Sequence, residues 1–123
     1  MAASALFMAF LGIAATFAPH ELLAWLGTAA TPALALLIQL LGALYLGFAM
    51  VNWSARQSLI GGIYNRPVAL GNLLHFLAGA LALLKGAGAG TAPLLALTVL
   101  YAIFALAFAW LMFTSPVTAP GTA

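Results

Sequence analysis

The sequence predicts an all-α integral membrane protein, a four-helix bundle with a short interfacial helix between its first and second spans. Three observations carry this. Lys, Arg, Asp and Glu occupy only four positions, Glu21, Arg56, Arg66 and Lys85, and all four stand between long apolar runs. Charged residues make up 3% of the chain, against about 25% in an ordinary soluble domain, which is too few to cover a surface facing water. The apolar runs are of spanning length, since a helix needs about 20 such residues to cross the hydrocarbon core.

The first run, residues 2–18, is slightly short. Its length also suits a signal peptide, but no Lys or Arg precedes it as an n-region requires. It is expected to be retained as a span. Residues 19–31 contain His20, Glu21, Trp25 and Gly27 and read as a short helix lying on the membrane surface, with Glu21 near its start and Gly27 as its stop. The second, third and fourth spans are residues 32–53, 67–84 and 93–113. Pro32, Pro67 and Pro93 fall in their first turns, where a missing N–H costs nothing. Residues 54–66 hold both arginines and the Gly61-Gly62 pair, read as a turn. Residues 86–92 form a glycine-rich tight turn, so spans three and four should be antiparallel neighbours. Residues 1–113 thus form one four-span domain, and 114–123, rich in Pro, Thr, Gly and Ala, a flexible tail.

Arg56 and Arg66 share one loop, which the positive-inside rule places in the cytoplasm together with both termini. Glu21 and Lys85 then fall on the outer side. Trp53 and Trp110 mark the inner interface and Trp25 the outer one.

Polar groups inside hydrocarbon are costly and mark candidate sites. In the second span Gln39, Gly42, Tyr45, Ala49, Asn52, Trp53 and Arg56 fall within an arc of roughly 140°. In the third, Gly71, Asn72, His75, Ala78, Gly79 and Ala82 fall within roughly 120°. The two helices leave one loop in opposite directions. Asn52 should therefore lie level with Asn72, Tyr45 opposite His75, and Gln39 near Gly79 and Ala82. The stripes should form a polar seam, closed by Thr98, Tyr101, Ala102, Ala105 and Ala109 of the fourth span. Two readings of Gln39, Tyr45, Asn52, Asn72 and His75 stand side by side. They bond one another and hold the bundle, or they bind or transport a small neutral or lipophilic ligand such as a quinone, a lipid or a pigment. His75, with Gly71 one turn earlier, also has the form of an axial tetrapyrrole ligand. Arg56 and Arg66 either set topology or bind a lipid head group or another anion.

Composition excludes much chemistry. No cysteine is present, so disulfide exchange, iron–sulfur ligation and thiolate zinc sites are out. There is no aspartate and one glutamate, so paired-carboxylate chemistry within one protomer is out. Ser4, Ser54, Ser58 and Ser115 lie near interfaces or ends, with no acid near His75 for a triad. A net charge of +2, widely dispersed, does not suit nucleic acid. The expectation is a non-enzymatic protein without a metal site. Its partners would be the lipid bilayer and either copies of itself or a larger membrane complex, in which it would serve as a structural or accessory subunit.

The stretches Gly47-Phe48-Ala49-Met50-Val51-Asn52-Trp53, Leu59-Ile60-Gly61-Gly62-Ile63-Tyr64-Asn65-Arg66-Pro67 and Gly71-Asn72-Leu73-Leu74-His75-Phe76 resemble a pattern in small bacterial membrane proteins. Their architecture is similar to the DoxX-like four-helix group. The resemblance implies a four-helix bundle in a bacterial inner membrane and no reaction.

Overall fold

A computed structural model describes residues 1–57, 65–86 and 90–114. Within them the chain is all-α, with five helices: α1 (Ala2–Phe17), α2 (Pro19–Trp25), α3 (Pro32–Ala55), α4 (Asn65–Gly86) and α5 (Ala92–Thr114). The four expected spans coincide with α1, α3, α4 and α5 to within two residues at each end. The expected turns at Gly61-Gly62 and between α4 and α5, and the expected tail, lie wholly or largely outside the described residues.

The boundaries have local causes. Ala18 (φ −130°, ψ 52°) interrupts the helical path between α1 and α2. The following Pro19 disfavours the helical conformation at the residue before it and itself opens α2 at a first-turn position. The chain bends by 106° there. At its other end α2 closes in a Schellman arrangement. Gly27 takes φ +74°, its N–H donates to Ala24 O at 3.0 Å, and Thr28 N–H donates to Leu23 O at 2.9 Å. Helix α3 opens with Pro32 at its first turn, and the Thr31 hydroxyl accepts from Leu34 N–H at 3.2 Å.

Among the described residues, α3, α4 and α5 are each long and apolar enough to cross a membrane. Helices α1 and α2 meet that standard only when taken together. Helix α1 packs along α3, and α4 along α5, whereas the α3 and α4 backbones approach each other much less. One core joins all four long helices through Met8, Ala49, Phe76, Tyr101 and Phe108. Phe76 stacks on Phe104 and Phe108, at centroid distances of 4.8 and 5.8 Å, and Phe7 of α1 reaches Phe104 at 5.1 Å. The outward faces carry large apolar side chains, among them Phe10, Leu40, Leu74, Leu106 and Trp110.

Contacts between successive helices run in opposite directions. Ser4 meets Asn52 while Thr16 meets Gln39, and Asn72 meets Asn52 while His75 meets Tyr45. One end of the molecule therefore carries Trp53, Arg56, Arg66 and Trp110. The other carries Glu21, Trp25 and Lys85.

Candidate functional site

The deepest polar feature is an amide pair between α3 and α4. Asn52 Nδ2 donates to Asn72 Oδ1 at 2.7 Å, and Asn72 Nδ2 donates back to Asn52 Oδ1 at 2.6 Å. Both side chains are completely buried. Each amide has a second N–H to place. Asn52 directs it at Ser4 Oγ of α1, at 3.2 Å, and Asn72 at Val68 O, at 2.8 Å. The Ser4 hydroxyl in turn donates to Met1 O at 2.8 Å. Three helices are thus joined through one closed polar network. The equal depth of Asn52 and Asn72 follows the register expected from the sequence.

One to two turns along, His75 sits among rings. Tyr45, Phe48, Phe76 and Tyr101 lie at centroid distances of 5.4, 5.4, 5.1 and 5.6 Å from it. Tyr45 and Tyr101 share a hydrogen bond between their hydroxyls. His75 Nε2 stands 3.5 Å from the Tyr101 hydroxyl, a long contact. The expected pairing of Tyr45 with His75 is present. The surroundings do not suit a tetrapyrrole, because Nε2 faces Tyr101 and aromatic side chains take up the space a macrocycle would need.

Gln39 does not join this group. It is exposed, and it donates to Thr16 O of α1 at 3.4 Å instead of meeting Gly79 and Ala82. Gly79 lies against the Tyr101 ring of α5. The reason is a rotation of α4. Its buried side chains are Asn65, Ala69, Asn72, Phe76 and Ala80, a face turned by about one residue step, roughly 100°, from the polar and small-residue stripe. Ala78 and Ala82 are exposed. A helix in an apolar protein gains more by burying Phe76 among facing rings than by burying alanines, and the polar stripe survives only at Asn72 and, half-buried, at His75. On α5 the expected face is retained, with Thr98, Tyr101 and Ala105 buried and Ala102 and Ala109 half-buried.

Several residues of the site were not legible as such. Ser4 was expected near an interface, yet it is buried against Asn52. Ser4, Met8, Gly12 and Ala15, all buried on one face of α1, form a stripe at helical spacing, and that stripe was the available signal. Phe7, Phe76, Phe104 and Phe108 build an aromatic stack that periodicity alone does not separate from lipid-facing phenylalanines.

At the arginine end, Arg56 lays its guanidinium over the Trp53 ring, 3.9 Å from the centroid, and donates from Nη1 to Trp53 O at 2.5 Å. Arg66, exposed, occupies the second position of α4. Asn65 Nδ2 donates to Ala55 O at 3.4 Å, tying the start of α4 to the end of α3. Between α3 and α4, on their outer side, lies a cavity of about 450 Å³, with Gly47 and Val51 on one wall and Pro67 and Gly71 on the other.

No family model matches the chain, and no curated protein or solved structure matches it.

Proposed function

We propose that the protein is a non-enzymatic integral membrane protein that serves as a structural or accessory subunit of a membrane assembly, made of its own copies or of other chains. In this reading α1, α3, α4 and α5 are four spans of one bundle in a bacterial inner membrane, as the likeness to the DoxX-like group implies. Helix α2 lies along the outer interface. The end carrying Arg56 and Arg66, with both termini, is cytoplasmic.

The observation that carries it is the inversion of polarity. Asn52, Asn72 and Ser4 are buried and mutually bonded, while leucines, phenylalanines and tryptophans cover the outside. In water such a surface would be a large aggregation patch. In lipid it costs nothing, and the interior amides hold the helices together. The amides' donors are satisfied within the bundle, so the seam acts as a fastener. Function is left to the outward faces, where small residues such as Ala78 and Ala82 are exposed and allow a partner helix to approach closely.

Two experiments test this. Mild-detergent extraction of native membranes, resolved by size, should place the chain within an assembly larger than one copy. A monomeric, ligand-free particle overturns the subunit reading. The chain has no cysteine, so single substitutions Gln57→Cys and Thr28→Cys report topology directly. A membrane-impermeant maleimide should label Thr28→Cys from the periplasm and Gln57→Cys only after the membrane is broken. The reverse pattern overturns the orientation.

A further inference from the structure

The groove between α3 and α4 exists because these two helices are held apart. The amide pair fixes their separation on the inner side. On the outer side, Gly47 and Gly71 face each other across a gap, and a Cβ added to either would meet nothing within 4 Å. Phe48 and Val68 complete an apolar lining, and Asn72, its amide already bonded, lies at the floor. Leu44 and Val51 remain about half exposed, so the groove opens sideways. Its volume of about 450 Å³ falls in the range of small-molecule sites, about 300–1,000 Å³.

The shape of the groove selects its occupant. Along α3 its lining runs from Val51 to Ala43, about 12 Å by helical rise. That is most of the hydrocarbon thickness of one leaflet, about 15 Å. The groove stops at Ala43, about halfway along the 24 residues of α3, which suits a chain from one leaflet better than a helix that crosses both. The end near the interface is the arginine end. Arg66 directly precedes the lining residues Pro67 and Val68, and Arg56 stands one turn beyond Asn52 with its guanidinium over the Trp53 ring. The only side-chain carboxylate in the sequence, Glu21, lies at the opposite end of the molecule, so neither guanidinium has a carboxylate side chain to pair with.

We propose that this groove holds one acyl chain of an anionic phospholipid from the cytoplasmic leaflet, with the phosphate against Arg66 and Arg56. The proposal rests on the membrane reading above. It assigns the chemistry of an unbranched hydrocarbon chain to the Gly47–Gly71 gap and that of a phosphodiester to the two guanidinium groups.

The test uses the full chain in a mild non-ionic detergent. It is titrated separately with dioleoyl phosphatidylglycerol and dioleoyl phosphatidylcholine, which share their chains, and adducts are read by native mass spectrometry. A one-to-one phosphatidylglycerol adduct should form at a concentration at least about fivefold lower than the phosphatidylcholine adduct, the factor expected of each arginine near a charged head group. Gly71→Leu places a side chain in the groove and should remove both adducts. Gly47→Leu does the same from the other wall and covers the case in which Gly71→Leu does not fold. Arg56→Gln with Arg66→Gln should bring phosphatidylglycerol down to the phosphatidylcholine level.

Equal binding of the two lipids by the unaltered chain overturns the proposal. So does an adduct insensitive to folded Gly71→Leu and Gly47→Leu. A lipid-free dimer that Gly71→Leu dissociates also overturns it, and gives the groove to a second copy. An alkaline carbonate wash of native membranes separates the two levels. Release of the chain removes the membrane reading itself, whereas retention without a phosphatidylglycerol preference removes only the lipid site.

Discussion

The two interfaces of α3 use opposite devices. Against α1 it packs backbone to backbone through Gly12 and Gly42. A Cβ on Gly42 would lie 2.7 Å from Thr16 N and 2.9 Å from Gly12 O, and one on Gly12 would lie 2.8 Å from Leu46 Cγ. Against α4 the backbones stand apart and are bridged by amides and rings. In the membrane reading proposed above, lipid tails are as apolar as leucine, so no hydrophobic effect pulls the helices together inside the bilayer. Close packing and hydrogen bonding are the two remaining sources of affinity, and α3 uses one on each side. The packed side leaves no space. The bridged side leaves a groove.

The largest expected effect separates these two sides with one chemical change. Gly42→Ala should destabilise the protein by about 1–3 kcal/mol, the usual cost of overpacking, because two of the three nearest atoms in its way are backbone and cannot turn aside. Gly47→Ala, five residues further along the same helix, should leave stability unchanged or raise it by up to about 1 kcal/mol through helix propensity. Thermal unfolding in detergent, followed by circular dichroism, measures both. Equal effects of the two substitutions would remove the distinction between a packed and a bridged side.

The bridge itself is next in size. Asn52→Leu leaves the Asn72 amide without its partner, and Asn72→Leu does the converse. Each should cost about 1–2 kcal/mol. The double substitution should cost no more than either alone, which corresponds to a coupling of about 1–2 kcal/mol in a double-mutant cycle. Additive costs would mean that the pair does not join α3 to α4. Tyr101→Phe removes the hydroxyl that bonds Tyr45 and keeps the ring among Phe7, His75 and Phe76. Its cost should be smaller, about 0.6 kcal/mol, the average for hydrogen bonds between membrane helices.

Element order and helix ends were legible in the sequence because prolines and uninterrupted apolar runs are local signals. The register of Asn52 with Asn72 was legible too, since two helices leaving one short loop must run antiparallel. The rotation of α4 was not. In water a polar stripe identifies the exposed face of a helix, and the apolar remainder identifies the core. In a chain with so few polar residues, both faces of α4 are apolar, and the choice falls to side-chain shape. Phe76 finds Phe104 and Phe108 only once α5 is in place, a non-local fact. The role of Ser4 failed to show for the same reason. A serine near the start of a span reads as interfacial until Asn52 is brought beside it.

Gln39 supplies the smallest and sharpest prediction. By sequence it is the equal of Asn52, an amide on the same helix and within the same polar arc. In the structure the two differ completely. Asn52 is buried and bonded to Asn72 and Ser4, while Gln39 is exposed and makes one long bond, 3.4 Å, to the Thr16 carbonyl of α1. The α1–α3 interface is already closed by its glycines at that level, so the bond adds little to it. Gln39→Ala should therefore change stability by less than about 0.5 kcal/mol, the range of ordinary surface substitutions. A cost as large as that of Asn52→Leu would show that α1 and α3 also depend on a polar bridge, and the contrast between the two sides of α3 would then be one of degree.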